Sequence, residues 1–169
     1  DNYFKACDNN KLGITQTFGP GYKILGKVNW IFSKYAEIKS QNYKHAKLSG
    51  INEADARKLA FAPHINVGVF SLEKKSSGWK IWQENLKTTL KKGKVFGSEG
   101  LAINISVYLN NLETEFLPLN HNWIVSNLLP IYDDEIKTFR EPYIPNEKIG
   151  IIHLAGGIWI NNSDMRLNK

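Results

Sequence analysis

The run His64-Ile65-Asn66-Val67-Gly68-Val69-Phe70-Ser71-Leu72 decides how the rest of the chain is read. β-Branched and aromatic residues dominate it, and turn or cap chemistry lies on both sides, Pro63 before it and Lys74 to Gly78 after it, so it predicts a buried β-strand. One residue is out of place. Asn66 carries two donors and an acceptor into an apolar run, and a buried amide without partners costs about 1–3 kcal/mol. Gly68, two residues on along the same face, removes a side chain where another backbone or a ligand can approach. Two accounts stay open. Either Asn66 bonds to a neighbouring loop and Gly68 marks a bulge, or the pair makes a polar notch in a strand wall.

A chain of 169 residues buries about two thirds of its unfolded surface on folding, enough for one core. The 42% hydrophobic content, with five Trp, seven Tyr and eight Phe, excludes disorder. The formal net charge of +6 is carried almost wholly by lysine, since Arg57, Arg140 and Arg166 are the only arginines. Readers of bases and phosphates lean on the planar arginine fork, so a weakly basic surface, and no nucleic-acid partner, is the expectation. The densest basic run, Lys87 to Lys94, reads as a solvated helix end. Cys7 is the single cysteine, which rules out an internal disulfide and thiol metal motifs and suits a reducing, cytoplasmic setting. No apolar run approaches the roughly 20 residues of a transmembrane segment. Abundant Asn, Lys and Ile suggest an AT-rich genome, bacterial or protist.

Along the chain, Tyr3, Phe4 and Cys7 open a short amphipathic piece, Asp8 to Lys11 turn, and Leu12 to Thr17 read as a strand. Leu25, Val28, Ile31, Phe32 and Tyr35 follow a helical spacing. Ser40 to Gly50 read as a polar loop, and Asn52 caps a helix over Glu53 to Phe61. After the central strand, Ser77 caps a helix whose core stripe is Trp79, Trp82, Leu86 and Leu90, and Ser98 caps a third with Leu101, Ile105 and Tyr108 in its stripe. Thr114 to Leu119 alternate like a strand. Leu129 to Pro145 hold the acidic run Asp133-Asp134-Glu135 and read as a solvated loop or short helix. Ile149 to Leu154 form a second buried strand, which Ala155-Gly156-Gly157 end. This order is that of an α/β lobe.

Few residues carry chemistry by themselves. His153 stands at the carboxyl end of an apolar strand before a glycine pair, where ligands of open α/β sheets gather. His45, His64 and His121 show no metal-type spacing with it. Glu99 falls in the first turn of a helix, where a carboxylate suits the dipole regardless of function. No phosphate loop, Ser-His-Asp order or His-Glu-x-x-His helix is present.

The order of the elements says more. Asn66-Val67-Gly68-Val69, then a Trp-bearing helix, Glu99-Gly100-Leu101-Ala102-Ile103-Asn104, Leu117-Pro118-Leu119-Asn120-His121-Asn122-Trp123 and Ile152-His153-Leu154-Ala155-Gly156 resemble the second half of the catalytic domain of nucleotide-sugar glycosyltransferases of the glycogenin and lipopolysaccharide galactosyltransferase type. The likeness covers roughly residues 60 to 157. It implies a partial GT-A-like mixed sheet flanked by helices, a single α/β lobe over residues 1–169 forming the acceptor-side, C-terminal part of that domain. It implies a nucleotide-sugar donor, a glycan, lipid or protein acceptor and a divalent metal, Mn2+ or Mg2+. By position, Asn66 and Gly68 would line the sugar and acceptor pocket and Glu99 would be the catalytic carboxylate beside the transferred hexose. Asn122 and Gly156 would bind substrate, and His153 would ligate the metal. The chain departs from the family in Gly100, where Gln is usual, in Glu99 for Asp, and in lacking Lys-Pro-Trp after the last motif. It also lacks the Asp-x-Asp that completes the metal site, so the resemblance assigns the nucleotide-binding half to sequence upstream of Asp1 and expects the chain alone to be inactive or nearly so. The rival expectation is a non-catalytic carbohydrate-binding or protein-interaction module on a degenerate form of the same fold.

Overall fold

The computed structural model describes residues 2–17 and 42–154, which fall into two compact units. The first holds described residues 2–17 and 42–117, the second 118–154. The helical spacing from Leu25 to Tyr35 and the glycines after Leu154 lie outside the described residues.

In the first unit, strands β1 (Leu12–Gln16), β2 (Ile65–Ser71) and β3 (Thr114–Leu117) make a mixed sheet in the order β2-β1-β3, antiparallel between β1 and β2 and parallel between β1 and β3. Helices α1 (Asn2–Asp8), α2 (42–48), α3 (Glu53–Phe61), α4 (Gly78–Lys92) and α5 (Ser98–Tyr108) flank it. The unit is therefore mixed α/β. Gly13 lets β1 run close beneath α1, for a Cβ there would stand 2.7 Å from that of Ala6.

Helix α5 is the centre of this unit. Every residue from Leu101 to Val107 is buried. Ile103 and Val107 pack on Leu12, Ile14, Ile65 and Leu72 of the sheet side, while Leu101 and Ile105 pack on Ala46, Ala56 and Leu59 of α2 and α3. Burial on two faces explains a sequence apolar nearly all round, each fully buried aliphatic side chain contributing about 1.5–3 kcal/mol.

Several expected elements take another form. Residues 42–48 are a helix rather than a loop; Tyr43 and Ala46 supply its apolar face against α3 and α5, and the remaining side chains are polar or exposed. Asn52 does cap α3, its side chain accepting from Asp55 N at 2.9 Å. Ser77 flanks α4 without a side-chain cap, and Gly97 rather than Ser98 precedes α5. In the α4 stripe, Trp82 packs on the core, whereas Trp79 and Leu90 are 39% and 43% exposed. The tryptophans stack at 5.9 Å, and both meet Phe70 edge to face. The central strand itself lies at one end of the described sheet, and only Ile65 in it is buried.

The second unit gathers Leu119, Trp123, Ile124, Val125 and Ile149 around a fully buried Trp123. After a single 3-10 turn, Leu119–His121, strand β4 (Trp123–Ile124) pairs in parallel with β7 (Ile152–His153). The expected buried strand from Ile149 to Leu154 is thus a two-residue ribbon, with Ile151 36% and Leu154 71% exposed. The expected loop or short helix around Asp133 is a hairpin, β5 (Ile131–Asp133) against β6 (Thr138–Arg140). Asp133 Oδ1 accepts from Glu135 N at 3.1 Å and Ile136 N at 3.2 Å, and its other oxygen accepts from Arg140 Nε at 2.7 Å, so the acidic run is turn chemistry. Among the described residues, no helix is long and apolar enough to cross a membrane.

Candidate functional site

The site residues of the first unit stand where β2 and α5 begin. Strand β2 does not follow β1 evenly. Ile14 pairs with Phe70 and Thr15, its neighbour, with Asn66, so Val67, Gly68 and Val69 loop out as a bulge across from no residue of β1. Bulges of this kind re-aim side chains and recur beside active sites. Within it, Asn66 Oδ1 accepts from Gly68 N at 2.8 Å. The bulge reading of Gly68 is thus correct, and one bond of Asn66 is to the bulge itself. Asn66 is half-buried and Gly68 exposed, so this is an open notch.

Glu99 lies in the first turn of α5 and is exposed. Its carbonyl accepts from Trp82 Nε1 at 3.3 Å, which fixes the start of α5 to α4. A residue to which the sequence reading gave no role joins the two candidate groups. Asn104 is 2% exposed, and its Oδ1 accepts from Ile65 N at 3.3 Å while its Nδ2 donates to Gly100 O at 2.8 Å. One buried amide therefore links the residue before Asn66 to the residue after Glu99. Tyr108 grips the same strand start from the other end of α5, its hydroxyl donating to Pro63 O at 2.5 Å, and burial pushes that phenol up to about 12. The signal for Asn104 was available: it is a lone amide in an apolar helix, the same anomaly that drew attention to Asn66.

His64, just before β2, faces Thr17 with Nδ1 and Oγ1 2.8 Å apart, and Thr17 N donates to His64 O at 2.8 Å. Burial drives the His64 imidazole down to about 4, so it is neutral at ordinary pH. Its place in the structure is that of a half-buried strut.

In the second unit, Asn122 is fully buried immediately before β4, and His153 lies in β7 opposite Ile124. The ribbon is closed by Trp123 N donating to Ile151 O at 2.8 Å and Val125 N to His153 O at 3.2 Å. Asn120 stitches the preceding turn to residues 148–150: its carbonyl accepts from Gly150 N at 2.8 Å and its Nδ2 donates to Lys148 O at 3.2 Å. Burial lowers the His153 imidazole below its ordinary range, which keeps a ring lone pair in place. Gly156 lies outside the described residues.

Asn66 and Gly68 thus stand in the bulge of β2 and Glu99 in the first turn of α5, with Asn104 bonded to the backbone neighbour of Asn66 and of Glu99, while in the second unit His153 lies in β7 and Asn122 just before its partner strand β4. Among the described residues no three of His, Cys, Asp and Glu stand together to hold a metal ion, so these residues by themselves do not build a divalent-cation site around His153. Set against protein-family models, curated proteins and solved structures, the chain finds no match in any of the three comparisons.

Proposed function

We propose that this chain is the acceptor-side part of a glycosyltransferase of GT-A type, which moves a hexose from a nucleotide sugar to a glycan, lipid or protein acceptor. The observation that carries the reading is the Asn104 bridge, which holds the residue beside Asn66 and the residue beside Glu99 on one side chain. Sugar transfer needs such an arrangement. As the bond from the anomeric carbon to the diphosphate breaks and the acceptor oxygen bonds to that carbon, positive charge grows on the ring. A carboxylate held at a fixed place stabilises that charge, and an amide in an open notch orients a sugar hydroxyl. Asn122 and His153 belong to the same reading as substrate-side and diphosphate-side groups. A divalent cation at His153 would require further acidic ligands, since the described residues bring no group of three together.

A second reading, a sugar-binding module without chemistry, draws on one position. Gly100 stands where the resemblance expects Gln, and a Cβ there would meet nothing within 4 Å. Packing does not require the glycine, so a donor and acceptor are missing there for no steric reason. Hexose transfer from labelled nucleotide sugars by the protein expressed from its whole gene separates the two readings. Under the enzyme reading Glu99→Gln lowers kcat by about a hundredfold or more with an unchanged circular-dichroism spectrum. Undiminished transfer by that variant removes Glu99 from the chemistry. Glycan binding that survives in it, with no transfer by the parent protein, favours the module.

A further inference from the structure

We propose that the knuckle between α4 and α5 docks on an anionic lipid bilayer, a role independent of the sugar-transfer reading. Gly97 has φ 80° and ψ 3°, the geometry of the third position of a type II turn, and Ser98 N donates to Val95 O at 3.2 Å across it. Ser98 is buried, and its hydroxyl donates to Lys94 O, so the turn is fastened from beneath. The corner so formed presents Val95 at 78% exposure and Phe96 at 94%. The backbone of this turn is already ordered, so placing the ring in another phase costs side-chain freedom but little backbone entropy.

Lysines surround this apolar corner. Lys87, Lys91 and Lys92 occupy the last turns of α4, Lys94 opens the knuckle, and all four are exposed. Helix α2 borders the same surface, because a Cβ on Gly50 would meet the Lys92 side chain at 3.4 Å and one on Gly97 would meet His45 at 3.7 Å. That helix also carries the exposed Lys44. These five lysines take part in no ion pair among the described residues. Glu84 and Glu99, one on each side in sequence, leave the surface with a clear excess of positive charge.

The occupant must therefore be negative at its surface and apolar just below. A bilayer containing acidic lipid has that layering: lysines meet the phosphate plane while Phe96 and Val95 enter the boundary with the acyl chains. A nucleic acid would satisfy the charges, but these cations are lysines without the arginine fork, and the exposed valine gains nothing against a sugar-phosphate backbone.

The test sediments the 169-residue chain with vesicles of phosphatidylcholine alone, or with about one part in three phosphatidylglycerol. The chain is expected on the acidic vesicles and not on the neutral ones, with binding that weakens as salt rises. Replacing Lys91, Lys92 and Lys94 by Gln lowers the partition coefficient by about a hundredfold, and Phe96→Ser lowers it by about tenfold. Circular dichroism monitors folding, and Val95→Ser stands in should the Phe96 variant fail to fold. Three results overturn the proposal: acidic vesicles that leave the chain in solution, binding that ignores the loss of the apolar corner, or tighter binding to a mixed-sequence oligonucleotide than to the acidic vesicles.

Discussion

The two units hold their candidate residues by different means. In the first, a helix buried on both faces reaches out with side chains, Asn104 to Ile65 and Tyr108 to Pro63, and fixes the start of a bulged strand. In the second, His153 lies in a two-residue ribbon, with the buried Asn122 just before its partner strand, and the ribbon is kept by backbone ladders and by the half-exposed Asn120. The buried Asn104 tie is strong because its loss leaves a buried donor unmet, whereas the exposed ties of Tyr108 and Asn120 can be replaced by water. The first corner should therefore behave as a rigid cradle, and the second should answer more readily to its surroundings.

Acidification strains that contrast most. The folded-state value of His64, about 4, lies below the 6.5 of an unstrained imidazole, so between these limits the unfolded chain binds a proton that the folded chain refuses. Stability falls as pH drops from 6.5 toward 4 and levels off below, by about 3 kcal/mol over the window. Urea unfolding followed by tryptophan fluorescence reads this loss, and His64→Gln should remove most of the slope. An unaltered slope in the variant would assign the acid sensitivity to other groups.

Amide ties come next in size. Asn104→Leu leaves Ile65 N without its acceptor and should cost about 2 kcal/mol, while Asn120→Ala in the second unit should cost about 0.5 kcal/mol. Hydrogen exchange at the Ile65 amide, faster by about thirtyfold in the first variant at that cost, locates the effect. Equal costs for the two would erase the distinction drawn between the units. The smallest effect has the opposite sign. Gly100→Ala fills open space in the first turns of α5 and should stabilise by about 0.5–1 kcal/mol, seen as a raised Tm; a lowered Tm would mean that the space beside Gly100 is not free.

Much of the first unit could be read from residue order. Periodic apolar positions and the Asn52 cap announce α3, α4 and α5, alternation announces β3, and β1 falls within the stretch after the Asp8 to Lys11 turn that reads as a strand. The helix at residues 42–48 carries none, since its buried face is little more than Tyr43 and a small Ala46. The hairpin in the second unit was hidden by its own turn: Asp133 looks like solvent-facing charge until Arg140 and two backbone amides are found around it. The notch at Asn66 and Gly68 was legible as an anomaly. Its cause was not, because a bulge is defined by the partner strand, and the Asn104 bridge joins residues far apart in the chain.

The looped-out residues Val67 to Val69 have one more effect, on what this protein avoids. In the described sheet β2 is a terminal strand, and a straight terminal strand offers a regular row of amides and carbonyls to any extended chain that drifts past. Here the row is interrupted in its middle, so an incoming chain finds no matching repeat along which to zip. Fibrous self-association through this margin is thereby discouraged without a single charged residue between Ile65 and Ser71.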